Sequence, residues 1–277
     1  MSKIQEVICA YHETQGEEQL AALCEALRTE EELISAHVVL TKSYYITEEA
    51  DGITAHLFTD EASYAAFEDR MSENVIAFKP VKNPAVDRMK LLGDLHRCGI
   101  TMLHVECGDE SVDVSLAELM GNPDYSKLPE NMRPIMNPDL LVKTHLFCQK
   151  KCQGIATAED ELAMFREIRK GTYVLAVDVS QEGKFGIAMI VNSKRQRFFP
   201  FFTDMAELRK YDLEGRLKGS VARFEDLKNY AAKIDGIVIN YSGFRMVLDT
   251  ALLELIENTT TAGEAPVARD TMFGMFS

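Results

Sequence analysis

All six histidines of this chain (His12, His37, His56, His96, His104 and His145) fall within the first 150 of its 277 residues. Imidazole titrates nearest neutral pH and is the commonest protein ligand for transition metals. A thiol beside it can act as a nucleophile. Any chemistry is therefore expected in the first half. His37 and His56 fall at the starts of predicted strands and could face each other across a sheet. His104 and Cys107, near another strand end, could form a base–nucleophile pair. His145, Cys148 and Cys152 bring three metal-binding side chains close together in sequence. A closed zinc site there needs a fourth ligand, with Cys98 or Cys107 as lenders, and no second Cys/His pair stands at a finger or ribbon distance. Buried or linker thiols are the plainer reading of these cysteines. Glu25 and the run Glu30, Glu31, Glu32 read as a solvated face.

The sequence contains no Gly-x-Ser-x-Gly elbow, phosphate-binding loop, His-Glu-x-x-His or dinucleotide fingerprint. Binding rather than catalysis is the expected work, with no cofactor. An enzyme or metal-dependent sensor with a His/Cys site in the first half is the alternative. The expected partner is an unspecified protein or small molecule, and a homodimer is an option.

A repeat must position these residues. His56-Leu-Phe-Thr-Asp60 followed by a helical run is matched by Pro200-Phe-Phe-Thr-Asp204 followed by another. Downstream, Leu91 to Leu119 and Leu227 to Leu255 each give helix, apolar strand from a glycine (Gly99 or Gly236), turn, short strand and helix. Self-similarity at such a period indicates a duplicated unit. In the second copy, strands are predicted over 173–179, 186–191, 197–202, 236–240 and 246–248. Their β-branched and aromatic content and the polar turns between them support this. The first copy repeats the pattern, with strands over 37–41, 44–46 and 53–58, preceded by an extra strand over 4–10.

The expected fold is α+β, with two tandem, structurally similar mixed-sheet domains and helices packed on the sheets. The first domain covers 1–120. Residues 121–158 are a linker, expected to be stiff and extended because four of the eight prolines (Pro123, Pro129, Pro134, Pro138) lie there. The second domain covers 159–257. A flexible tail occupies 258–277, where Met272, Phe273, Met275 and Phe276 could instead dock as an anchor.

Residues 1–150 carry 26 acidic and 13 basic side chains, whereas residues 151–277 carry 18 and 17. The first half thus has the wrong sign for phosphate backbones, and nucleic-acid binding is not expected. No window approaches the about 18 uninterrupted apolar residues of a membrane span, and the start lacks a secretory signal's pattern. A cytoplasmic location without membrane association is expected, with the six cysteines reduced.

The block Phe199-Pro-Phe-Phe-Thr-Asp-Met-Ala-Glu-Leu208, then Phe224-Glu-Asp-Leu227, then Asp235-Gly-Ile-Val-Ile-Asn240 and Leu248-Asp249 resembles the N-terminal domain of the SseB family of bacterial proteins. The resemblance covers roughly residues 160–257, and reaches 20–120 only through the repeat, which makes the first domain a degenerate copy. It implies an uncharacterised bacterial binding or scaffold protein without an assigned activity. The family's Asn-Pro turn with a following glycine maps onto Asn240, Tyr241 and Gly243, with Tyr241 in place of proline. In the first copy His104 stands at the asparagine's place. Asn240, Tyr241, Gly243, His104, His37 and His56 are accordingly the candidate binding residues.

Overall fold

The computed structural model describes residues 2–30, 32–181 and 184–262. They form two units. The first draws on residues up to Asp124 together with Cys148–Gly154, and the second on Tyr125–Phe147 and residues from Ile155 onward.

The first unit opens with two helices, α1 (Lys3–Thr14) and α2 (Glu17–Thr29). The strand expected over 4–10 is therefore helix. Ile4 and Ile8, one turn apart, are both fully buried, and the Ser2 side chain caps the helix by accepting from the Gln5 amide. Strands β1 (Leu33–Val38), β2 (Ser43–Tyr44), β3 (Ile46–Glu49) and β4 (Gly52–Phe58) follow. Next come α3 (Glu61–Met71), β5 (Phe78–Asn83), α4 (Arg88–Arg97), β6 (Met102–Cys107), β7 (Glu110–Ser115) and α5 (Leu116–Met120). The strands lie side by side as β5-β1-β4-β6-β7, with β2 and β3 pairing β1 and β4. The β4–β6 pair is parallel and the others are antiparallel.

The segment expected to be an extended linker contains helix α6 (Pro138–Cys152). Pro138 starts it, where a missing amide proton costs nothing. The second unit continues with α7 (Ala158–Lys170), β8 (Thr172–Gln181), β9 (Lys184–Ile187), β10 (Ile190–Val191) and β11 (Arg197–Phe202). It closes with α8 (Met205–Tyr211), β12 (Leu217–Arg223), α9 (Phe224–Ala231), β13 (Gly236–Ile239), β14 (Met246–Leu248) and α10 (Thr250–Ala262). Helix α10 enters the range expected to be a flexible tail. The anchor residues Met272, Phe273, Met275 and Phe276 lie outside the described residues.

The second sheet has the order β12-β8-β11-β13-β14, with β9 and β10 pairing β8 and β11; among the described residues β11–β13 is its parallel pair and the others are antiparallel. The two units thus share one strand order. In both, a Thr-Asp pair ends the strand before a capped helix. Asp60 accepts from the Ser63 amide at 2.8 Å, and Asp204 from the Ala206 and Glu207 amides at 2.8 and 3.0 Å. Edge strands β5 and β12 are absent from the sequence reading. β5 holds Lys79, Pro80 and Lys82, and β12 holds Gly219, so neither offers a clean apolar alternation. Gly236 is required where it stands. Its φ is +150°, and a Cβ there would fall 2.8 Å from the Leu248 carbonyl oxygen across the β13–β14 pair.

The core of the first unit on the α3 side of the sheet joins Ile34, Ala36 and Val38 of β1 to Tyr45, Phe58, Tyr64 and Phe67. Phe67 is its hub, with ring centroids 5.0 Å from Phe58, 5.7 Å from Tyr45 and 5.2 Å from Phe78. In the second unit Val174, Ala176, Phe202 and Leu208 make the matching cluster under α8.

Candidate functional site

Side chains alternate between the two faces of a strand. Phe58 lies on the α3 side, so His56, two residues earlier on β4, does too. Its ring stands 5.8 Å from Phe67 and 5.2 Å from Tyr45. Parallel pairing sets His56 opposite His104 on β6, and antiparallel pairing sets His104 opposite Asp113 on β7. These three side chains therefore form one row across three strands. Glu106, two residues beyond His104, shares the face. Arg70, on the last turn of α3, holds Glu106 through Nη2, 2.7 Å from both carboxylate oxygens.

Each group in this cluster is oriented by a neighbour. The His56 and His104 rings are 5.3 Å apart. His104 Nδ1 donates to Asp113 Oδ1 at 2.7 Å, since an ionised carboxylate only accepts. His104 Nε2 lies 3.8 Å from Glu106 Oε1. His56 Nε2 is 3.4 Å from the Thr47 hydroxyl, while its Nδ1 is buried without a hydrogen-bond partner. Burial, and then the neighbouring His104, push His56 down to about 4, so its ring is neutral at neutral pH. A ring nitrogen from each histidine and a carboxylate oxygen of Glu106 all lie within 4.8 Å of one another. This arrangement can share a small cation or hydrogen-bond a small polar ligand.

The other sequence candidates are not brought to this cluster. His37 lies on the opposite face of the sheet from His56, because its neighbours Ala36 and Val38 occupy the α3 side. Its ring packs edge-on against Tyr44 at 4.6 Å, and the Tyr44 hydroxyl donates to Asp94 at 2.9 Å. The expected His37–His56 pairing across the sheet is thereby corrected. Cys107 likewise points to the other face from His104, with its sulfur 3.5 Å from the Ser2 hydroxyl, so the two do not form a base–nucleophile pair.

His145, Cys148 and Cys152 do not assemble as ligands. The His145 ring packs on Phe244 at 5.8 Å in the second unit, and Cys152 packs against the aromatic core of the first. Burial pushes the Cys148 thiol up to about 12, which disfavours the ligating thiolate. Among the described residues, the one cluster of three metal-ligating side chains is His56, His104 and Glu106.

Asn240 is a structural lock. It is fully buried with φ +53°. Its Oδ1 accepts from the Thr203 amide at 3.0 Å, and its Nδ2 donates to the Thr203 hydroxyl at 2.9 Å. That hydroxyl donates to Asp204 at 2.9 Å, which ties the turn to the cap of α8. The Asn240 carbonyl closes the turn by accepting from the Gly243 and Arg245 amides at 2.9 and 3.1 Å. A Cβ at Gly243 would fall 2.7 Å from Glu207 Oε2. The Tyr241 ring takes the Arg245 guanidinium at 4.3 Å.

Sheet register also changes the match between the copies. Leu57 pairs with Val105, and Phe201 pairs with Ile239. With Leu57 equivalent to Phe201 in the Phe-Thr-Asp block, Asn240 corresponds to Glu106 rather than His104. His56, His104 and Asp113 correspond to Pro200, Val238 and Val247. Glu106, Asp113 and Arg70 were absent from the sequence reading. The one available signal was His104-x-Glu106 on an apolar strand, which puts both side chains on one face.

Residues 151–254 match the SseB protein N-terminal domain family. No curated protein gives a significant match. A solved structure of Anabaena Tic22 (protein transport) is 11% identical and covers 76% of this chain and 84% of its own, with a TM-score of 0.21. A structure of Tic22 from Plasmodium falciparum is 11% identical and covers 87% of this chain and 98% of its own, with a TM-score of 0.20. Scores this low do not establish a shared fold. No helix among the described residues is long and apolar enough to cross a membrane. The match to the SseB protein N-terminal domain thus covers residues 151–254, in a chain whose first unit repeats the strand order of the second.

Proposed function

We propose that the chain is a non-catalytic binding protein in which the second unit is structural and the first holds a small ligand at the β4–β6 surface. The observation that carries this is the contrast between equivalent positions. Where the second unit has Pro200, Val238, Asn240 and Val247, the first has His56, His104, Glu106 and Asp113. Placing polar groups on a sheet face costs desolvation free energy unless something recovers it. His56 Nδ1 recovers none within the protein. A ligand that engages these groups supplies what folding does not.

Thermal unfolding of the whole chain tests this reading, with cobalt chloride, zinc chloride, inorganic phosphate and succinate as probes. A ligand at 100 times its Kd adds about 2.7 kcal/mol to stability, which raises Tm by several degrees for a chain of this size. We expect at least one probe to stabilise the wild type, and His104→Val to abolish the shift. No stabilisation by any of the four, or a shift that survives His104→Val, would defeat the proposal.

A further inference from the structure

We infer that His56, His104 and Glu106 bind a divalent first-row transition-metal ion, with Asp113 as the positioning residue for His104. This rests on the binding reading above and names the class of its ligand. Zinc-type ions take imidazole nitrogen and carboxylate oxygen at about 2.0–2.2 Å, so donors sharing one ion stand about 3–4 Å apart. The three donor atoms here lie within 4.8 Å of one another, and small side-chain rotations close the remaining gap. The set of two imidazoles and one carboxylate excludes magnesium and calcium, which prefer oxygen throughout, and suits zinc, cobalt, nickel or iron(II).

The surroundings match a ligating site in two further ways. A metal-bound histidine is normally held by a carboxylate on its other nitrogen. Asp113 does this at 2.7 Å through Nδ1 and leaves His104 Nε2 directed towards Glu106. Glu106 is one-tenth exposed, and its partner Arg70 is more than half exposed. Arg70 therefore balances the carboxylate without a cation, and its exposed guanidinium has room to turn towards water when an ion takes its place. The second unit has none of these donors at equivalent positions, so one ion per chain is expected.

The test uses the full chain, stripped with a chelator and titrated with cobalt(II) by visible d–d absorption, with equilibrium dialysis against zinc chloride. The expected result is one ion per chain. Affinity should fall more than about 100-fold in His104→Val and His56→Phe, and about 10- to 100-fold in Asp113→Asn. His12→Asn should leave it unchanged, because His12 is an exposed histidine elsewhere, bonded to the Ser111 carbonyl. Circular dichroism confirms that each variant is folded, and Asp113→Asn, at an exposed position, supplies the readout should a core variant unfold. Failure to bind either metal, or binding that persists unchanged in His104→Val, overturns the inference. If phosphate or succinate nevertheless stabilises the protein through His104, the metal is wrong and the binding reading stands. If no probe does, both fall.

Discussion

His56 and His104 stand directly opposite one another on the parallel β4–β6 pair, with their ring centroids 5.3 Å apart. Because His56 is pushed down to about 4 from an ordinary 6.5, the folded protein binds fewer protons than the unfolded chain between those values. Stability carried by this group is complete above pH 6.5 and drains away as pH falls to about 4. The full window is worth about 3 kcal/mol. Urea unfolding of metal-free protein at pH 7 and pH 4.5 should therefore show the wild type losing about 2–3 kcal/mol more than His56→Phe. Equal losses would mean that burial does not hold His56 neutral.

Asn240 and Tyr241 are neighbours with unlike roles, and mutation should separate them. Asn240→Ala strips the buried Thr203 amide of its acceptor, removes the bond that the Thr203 hydroxyl accepts, and leaves a Cβ at positive φ without a compensating side chain. A cost of about 2–4 kcal/mol is expected in urea unfolding. Tyr241→Ala removes a cation–π contact with Arg245 and should cost about 1 kcal/mol. Comparable losses from the two would rule out Asn240 as the lock.

Asn137 lies in the proline-containing segment, yet it is buried within the second unit. Its Nδ2 donates to the Thr172 and Thr203 carbonyls at 2.7 and 2.6 Å, and its Oδ1 accepts from the Thr172 amide at 3.1 Å. Asn137→Ala leaves these backbone groups unpaired and should cost about 2–3 kcal/mol, lowering Tm by several degrees. An unchanged Tm would show that residues 125–147 are a tether rather than part of the second unit's fold.

The fold was legible wherever burial leaves a periodic trace. Strand β13, Gly236–Ile239, is buried at every position and reads as a continuous apolar run. The Thr-Asp pairs at 59–60 and 203–204 mark two helix starts because the aspartate side chains accept from amides within the next turn. Where local signals conflict, the reading failed. Ile4 and Ile8 fit a helix face, yet the short apolar stretch around them also resembles a strand. Pro138 suggested an extended chain, although a proline in the first turn is compatible with a helix.

The sequence alone determined that the unit is duplicated, that both copies are α+β, and that five of the six histidines belong to the first. Those properties are written in hydrophobic periodicity and in the Phe-Thr-Asp and apolar-strand blocks, which each segment carries by itself. Which histidine meets which group was decided only by tertiary structure. Strand register fixes the partner and strand parity fixes the face, and a shift of one residue would exchange every side chain between faces. That is why His56 joins His104, Glu106 and Asp113, while His37 and Cys107 turn away on the other side of the same sheet.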